Sequence, residues 1–73
     1  MRNTNYRMRS QLTERDFDAA VAVSRDLGLV SKNILAARLQ ISPAAASALA
    51  DRMFDERLCS AFNTRGRAEL RNL

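Results

Sequence analysis

The dipeptide Ser42-Pro43, followed by Ala44-Ala45-Ala46-Ser47-Ala48, constrains this chain more than any other feature. A serine at an N-cap accepts a hydrogen bond from an otherwise free amide of the first helical turn. Proline at the first helical position loses no hydrogen bond, because its amide would have had no partner there. The alanine-rich run that follows is strongly helix-forming. A helix is therefore predicted over residues 43–56, with Ala46, Leu49, Ala50, Met53 and Phe54 as its buried stripe. Upstream, Ser31 is a second cap, and Ile34, Leu35, Arg38 and Leu39 follow it, predicting a short helix over 32–39. Ile41 lies in the tight connection between the two. Two helices joined by so short a turn make a helix-turn-helix unit.

The flanks complete the order of elements. Thr13 can cap a first helix, with Asp16 three residues on as a variant of the capping box. Phe17, Ala20, Val21, Ser24 and Leu27 then fall on one face, and Gly28 supplies a left-handed terminator, giving a helix over 14–27. After the third helix the period changes. Residues 58–62 and 67–70 read as two short strands joined by the turn Asn63-Thr64-Arg65-Gly66. The fold class expected is mainly α: a winged helix-turn-helix of three helices plus a two-stranded β-hairpin wing. Residues 13–73 form that domain. Residues 1–12, polar and without periodicity, form a flexible basic arm. No internal repeat or second domain is visible, and a chain of 73 residues has only a thin core.

Charge narrows the function. Twelve basic residues, eleven of them arginine, stand against eight acids, for a net charge of +4. Residues 1–12 carry Arg2, Arg7 and Arg9 and no acid, and residues 63–73 carry Arg65, Arg67 and Arg71 against Glu69. The middle of the chain, 13–62, holds six bases and seven acids. The excess thus sits at the two ends, outside the periodic body. It favours an anionic partner, nucleic acid first, because the arginine fork matches phosphate and guanine edges. There is no histidine and only one cysteine, so the commonest general base, a zinc site and an internal disulfide are all excluded. Cys59, beside Leu58, reads as a buried small hydrophobe in a protein of a reducing compartment. No apolar run is long enough to span a membrane, and the basic start lacks the apolar stretch of a secretory signal. The expectation is a cytoplasmic, nucleoid-associated protein with no cofactor, no metal and no catalytic residues.

A winged helix-turn-helix places the start of its third helix at the major groove and its wing on the backbone or minor groove. Candidate contacts follow from those positions. Ala44, Ala45, Ser47 and Ala48 can form a smooth face against thymine methyls, although alanine also occurs simply as a helix former, and Ser42 is a cap whose hydroxyl can also meet a phosphate. Arg52 is the one long side chain of that helix able to read guanine; it can equally pair with Asp55 or Glu56. Lys32 and Asn33 can touch phosphate or remain solvated. Thr64, Arg65 and Arg67 of the wing have no other evident purpose, and Arg2, Arg7 and Arg9 can follow the duplex from the arm. Tyr6 can stack or pack. Asp51, Asp55 and Glu56 oppose a phosphate backbone, which requires the helix to enter a groove by its N-terminus.

Residues 16–70 resemble the gamma domain at the C-terminus of FtsK-type DNA translocases. The matching stretches are Asp18-Ala19-Ala20-Val21, then Ser31, Leu35 and Leu39, and then Ile41. Further on are Ala46, Leu49, Asp51 and Met53, the pair Leu58-Cys59, and Arg67-Ala68-Glu69-Leu70. The resemblance implies a winged helix that binds oriented sequences in double-stranded DNA, with Arg67 at the place of the family's arginine after the wing. Where that family has an Asn-Arg pair to read bases, this chain has Ala44-Ala45, so the target sequence does not carry over. No phosphate loop or motor is present. The reading is a stand-alone small DNA-binding protein: a transcriptional regulator or repressor, or an accessory factor, of phage, plasmid or bacterial origin. It would act as a homodimer or on repeated sites, because one small module gives little specific affinity. The alternative is a winged-helix protein–protein interaction module that does not bind DNA specifically.

Overall fold

A computed structural model of the chain describes residues 9–71. A 3-10 turn, Arg9–Gln11, leads into α1 (Glu14–Leu27), β1 (Leu29–Ser31), α2 (Lys32–Leu39), α3 (Pro43–Asp55) and β2 (Arg67–Glu69). Three helices and a two-stranded antiparallel sheet make up the fold, in a layout consistent with a winged helix. None of the described helices is long and apolar enough to cross a membrane.

The caps form as the residue types dictate. Thr13 accepts from the Asp16 amide at 3.4 Å, while the Asp16 carboxylate accepts from the Thr13 amide at 2.8 Å, closing a reciprocal capping box. Gly28, at φ 78°, ends α1 with its amide on the Ser24 carbonyl. Its left-handed turn lets the chain reverse at once into β1. Ser31 is both the last residue of β1 and the N-cap of α2, its hydroxyl accepting from the Ile34 amide at 3.3 Å. Ser42 caps α3 in the same way, accepting from the Ala45 amide at 3.1 Å. Between α2 and α3 the chain turns on Gln40, at φ 54°, and Ile41, which is buried.

α3 is the central element, with Ala45, Ala46, Leu49, Ala50 and Met53 all turned inward. α1 packs on it through Phe17, Ala20 and Ser24, α2 contributes Leu35, and Val30, Cys59 and Ala68 close the core from the sheet side. Five of these inward residues are alanines (20, 45, 46, 50 and 68), so the elements approach closely and the larger side chains are few. Cys59 is buried and its burial pushes the thiol pKa up, so it behaves as a small apolar residue.

The expectations for the strands and for Phe54 are corrected. The strands do not form a hairpin of 58–62 with 67–70: β2 pairs with β1, with Leu29 opposite Glu69, Val30 opposite Ala68 and Ser31 opposite Arg67. Residues 58–62 do return along the other side of β2, through the Cys59–Leu70 bridge and the Ser60 amide on the Glu69 carbonyl at 2.9 Å. They fall short of a strand because the Glu69 amide bonds the Ser60 hydroxyl, at 2.9 Å, in place of a backbone carbonyl. Phe54 is not in the buried stripe and is 45% exposed; Ala50 and Met53 define the inner edge, and Phe54 lies one step further round. In the stretch 9–12, read as part of an arm, the 3-10 turn packs on α3 and Leu12 packs against the core. Arg2 and Arg7 lie outside the described residues, as does the Arg9 side chain.

A core this thin is sensitive to truncation. Leu35→Ala, at a site only 1% exposed, is expected to remove about 2–5 kcal/mol. That is a large part of the roughly 0.05–0.15 kcal/mol per residue available to a small domain. Phe54→Ala should change stability by less than about 1 kcal/mol. Urea denaturation checks both, and equal losses at the two sites would contradict the assignment of the α3 faces.

Candidate nucleic-acid interface

The loop before β2 is held closed by its own residues. The Asn63 side-chain oxygen accepts from the amides of Arg65, at 2.9 Å, and Arg67, at 3.1 Å. The Asn63 amide donates to the Arg67 carbonyl at 2.9 Å, and the Gly66 amide to the Asn63 carbonyl at 3.0 Å. Gly66 sits at φ 75°, the left-handed region that an L side chain rarely adopts, and any Cβ there would stand 3.4 Å from the Lys32 stem. Asparagine and glycine are thus what allow so tight a reversal.

This closed loop docks on the beginning of α2. The Lys32 amide donates to the Gly66 carbonyl at 3.0 Å, and its stem lies against Gly66. The Lys32 ammonium then sits 4.8 Å from the centroid of the Phe62 ring and 3.7 Å from Asp51 of α3. Lys32, Asn33, Thr64, Arg65 and Arg67, drawn from two distant parts of the sequence, line one open groove together with Asn63 and Gly66. The side chains of Arg65 and Arg67 are exposed, and among the described residues neither is held in an ion pair. Asn33 is shared with a neighbouring apolar recess formed by Ala36, Ala37, Ile41, Ser42 and Pro43. Ser42 therefore lies next to the groove, but its hydroxyl is already engaged as a cap.

The candidate face of α3 fares differently. Ala44 is exposed, and Ser47 and Ala48 are half-buried. Ala45 is fully buried against the core, so it cannot meet a ligand, and its place in the candidate face is corrected. Positions 44, 48, 51 and 55 share one face by helical spacing, so the exposed carboxylates of Asp51 and Asp55 stand in line with Ala44 and Ala48.

Arg52 is engaged within the fold. Its two terminal nitrogens hold the Glu14 carboxylate at 2.6 and 2.9 Å, and its Nε holds Glu56 at 2.8 Å. The guanidinium carbon lies 3.9 Å from the Phe17 ring centroid. One arginine thus ties the first turn of α1 to the last turns of α3, by a two-pronged ion pair and a cation–π contact. The hydrogen bonds to Glu14 and then Glu56 raise the Arg52 pKa, and the Arg52 hydrogen bond lowers that of Glu14. The pair with Glu56 at i+4 is visible in the sequence. The partner Glu14, 38 residues away, carries no local signal.

Comparison with protein-family models, with curated proteins and with solved structures finds no match for this chain.

Two outcomes follow. Glu14→Gln should lower the thermal midpoint of the parent chain and leave that of Arg52→Ala nearly unchanged; equal losses in both backgrounds would contradict the Arg52 tie. Because the Glu14 pKa is lowered in the fold, its contribution is present above the ordinary carboxylate range and fades as pH falls through the lowered value. Separately, Asn63→Ala should strip hydrogen-exchange protection from the amides of Arg65 and Arg67 while leaving those of α3 protected. Retained protection at 65 and 67 would show that Asn63 does not hold the loop.

Proposed function

We propose that this chain is a winged-helix module that binds duplex DNA, with no catalytic role of its own. α2, the turn at residues 40–42 and α3 act as the helix-turn-helix, and the loop at residues 63–66 acts as the wing. The single observation that carries the reading is the convergence of Lys32, Asn33, Thr64, Arg65 and Arg67 on one groove. A docked loop holds these residues in place. An open, cationic, hydrogen-bond-rich groove with free arginines suits the phosphodiester backbone, whose contacts supply most non-specific affinity. Arg2, Arg7 and Arg9 add further positive charge that a polyanion can use. α3 approaches by its first two turns, through Ala44, Ser47 and Ala48, because Asp51 and Asp55 occupy the rest of its outer face. A module with so few base contacts works best as a homodimer or on repeated sites, in the manner of a small transcriptional regulator of a bacterial, plasmid or phage genome.

The test is a salt titration of binding to random-sequence duplex followed by fluorescence anisotropy. Contact with about four to six phosphates gives a slope of log K against log salt of about −4 to −5. Replacing Arg65 and Arg67 together by alanine should weaken binding on all sequences and flatten the slope by about 2. Absence of duplex binding at low salt would overturn the proposal, and an unchanged slope in the double variant would remove the wing from it.

A further inference from the structure

We infer that the sequence preference of this protein is carried by the loop at residues 63–66, with Arg65 entering the minor groove of A·T-rich duplex, and not by α3 in the major groove. The inference rests on the duplex-binding reading above and concerns which element reads the DNA.

The first ground is what α3 lacks. Its outer face offers Ala44, Ser47, Ala48, Asp51 and Asp55. None of these side chains is a two-pronged donor able to hold a guanine edge, and the two carboxylates repel the phosphates that flank a major groove. Arg52, the one fork-bearing side chain of the helix, has both ends of its guanidinium committed to Glu14 and Glu56 and its face to Phe17. Asp51 also draws the Lys32 ammonium toward α3, which marks the border between the cationic groove and an acidic helix face.

The second ground is what the loop has. An α-helix with side chains is about 10–12 Å across and enters only the major groove, whereas a closed four-residue loop is narrow enough to present one side chain to the minor groove. The Asn63 oxygen and the Lys32–Gly66 hydrogen bond set the loop before any ligand arrives, so Arg65 projects from a fixed base. Arg67 stands beside it on β2, exposed, where it can hold the rim phosphates. A·T-rich tracts narrow the minor groove and deepen its negative potential, which draws in arginine without any contact to base-specific groups of the major groove.

Base analogues separate the two grooves. Inosine·cytosine presents the minor groove of an A·T pair and the major groove of a G·C pair; 2,6-diaminopurine·thymine does the reverse. The full chain is titrated against four duplexes of one length that differ only in a central tract of A·T, G·C, inosine·cytosine or diaminopurine·thymine pairs. The A·T and inosine·cytosine duplexes should bind about tenfold more tightly than the other two. Arg65→Ala should erase that difference while still binding all four, and Arg65→Lys should reduce it, because the ammonium is more strongly hydrated. Phe54→Ala, at the exposed end of α3 away from the groove, should leave the pattern intact. A grouping of A·T with diaminopurine·thymine would overturn the inference and put the reading on α3. Equal binding to all four would overturn it in favour of backbone contact alone. Failure to bind any duplex would overturn the duplex-binding reading itself.

Discussion

The junction between β1 and α2 is the constraint on which the rest of the structure depends. Ser31 pairs with Arg67 as the last strand residue and caps α2 with its side chain, and the next residue, Lys32, donates its amide to Gly66. Two consecutive residues therefore fix the start of a helix, the register of the sheet and the position of the loop before β2. The loop cannot drift relative to α2 without breaking ladder, cap and dock together. This coupling sets residues 32–33 and 63–67 side by side although about thirty residues separate them.

Charge is partitioned around that junction. The cationic groove lies on the side of α2 and the loop, while the outer face of α3 carries Asp51 and Asp55. Lys32 stands between the two regions, sharing its ammonium with Asp51 and the Phe62 ring. Arg52, a candidate base reader by residue type, is engaged in holding α1 on α3. Net charge alone conceals this division, because a solvent-directed arginine and one clamped between two glutamates count equally in the sum.

Much of the helical frame was legible in the sequence because its signals are local. Thr13 with Asp16, Gly28, Ser31 and Ser42-Pro43 each place a helix end through bonds made within four residues, and the observed ends of α1 and α2 fall where those signals put them. β1 was not legible: three residues are too few to display alternation, and Ser31 reads as a cap whether or not a strand precedes it. The strand pairing was missed for the same reason, since Val30 opposite Ala68 is a contact across 38 positions. The turn at residues 63–66 was legible from its asparagine and glycine, and with it the exposure of Thr64, Arg65 and Arg67. Their convergence with Lys32 and Asn33 was not, because it depends on the sheet register. Ala45 and Phe54 were misplaced because both lie at the margins of the α3 stripe, where periodicity alone does not decide which way a side chain turns.

The proposed function turns on whether duplex DNA lies in the groove between α2 and the loop before β2. Titration of the isotopically labelled chain with a short duplex, followed by amide chemical shifts, tests it most directly. Shifts should concentrate at Lys32, Asn33, Thr64, Arg65, Gly66 and Arg67 and reach the first two turns of α3, while the amides of Asp51, Phe54 and Asp55 stay close to their free positions. Shifts centred on Asp51, Phe54 and Asp55, or a spectrum unmoved by duplex, would contradict that placement.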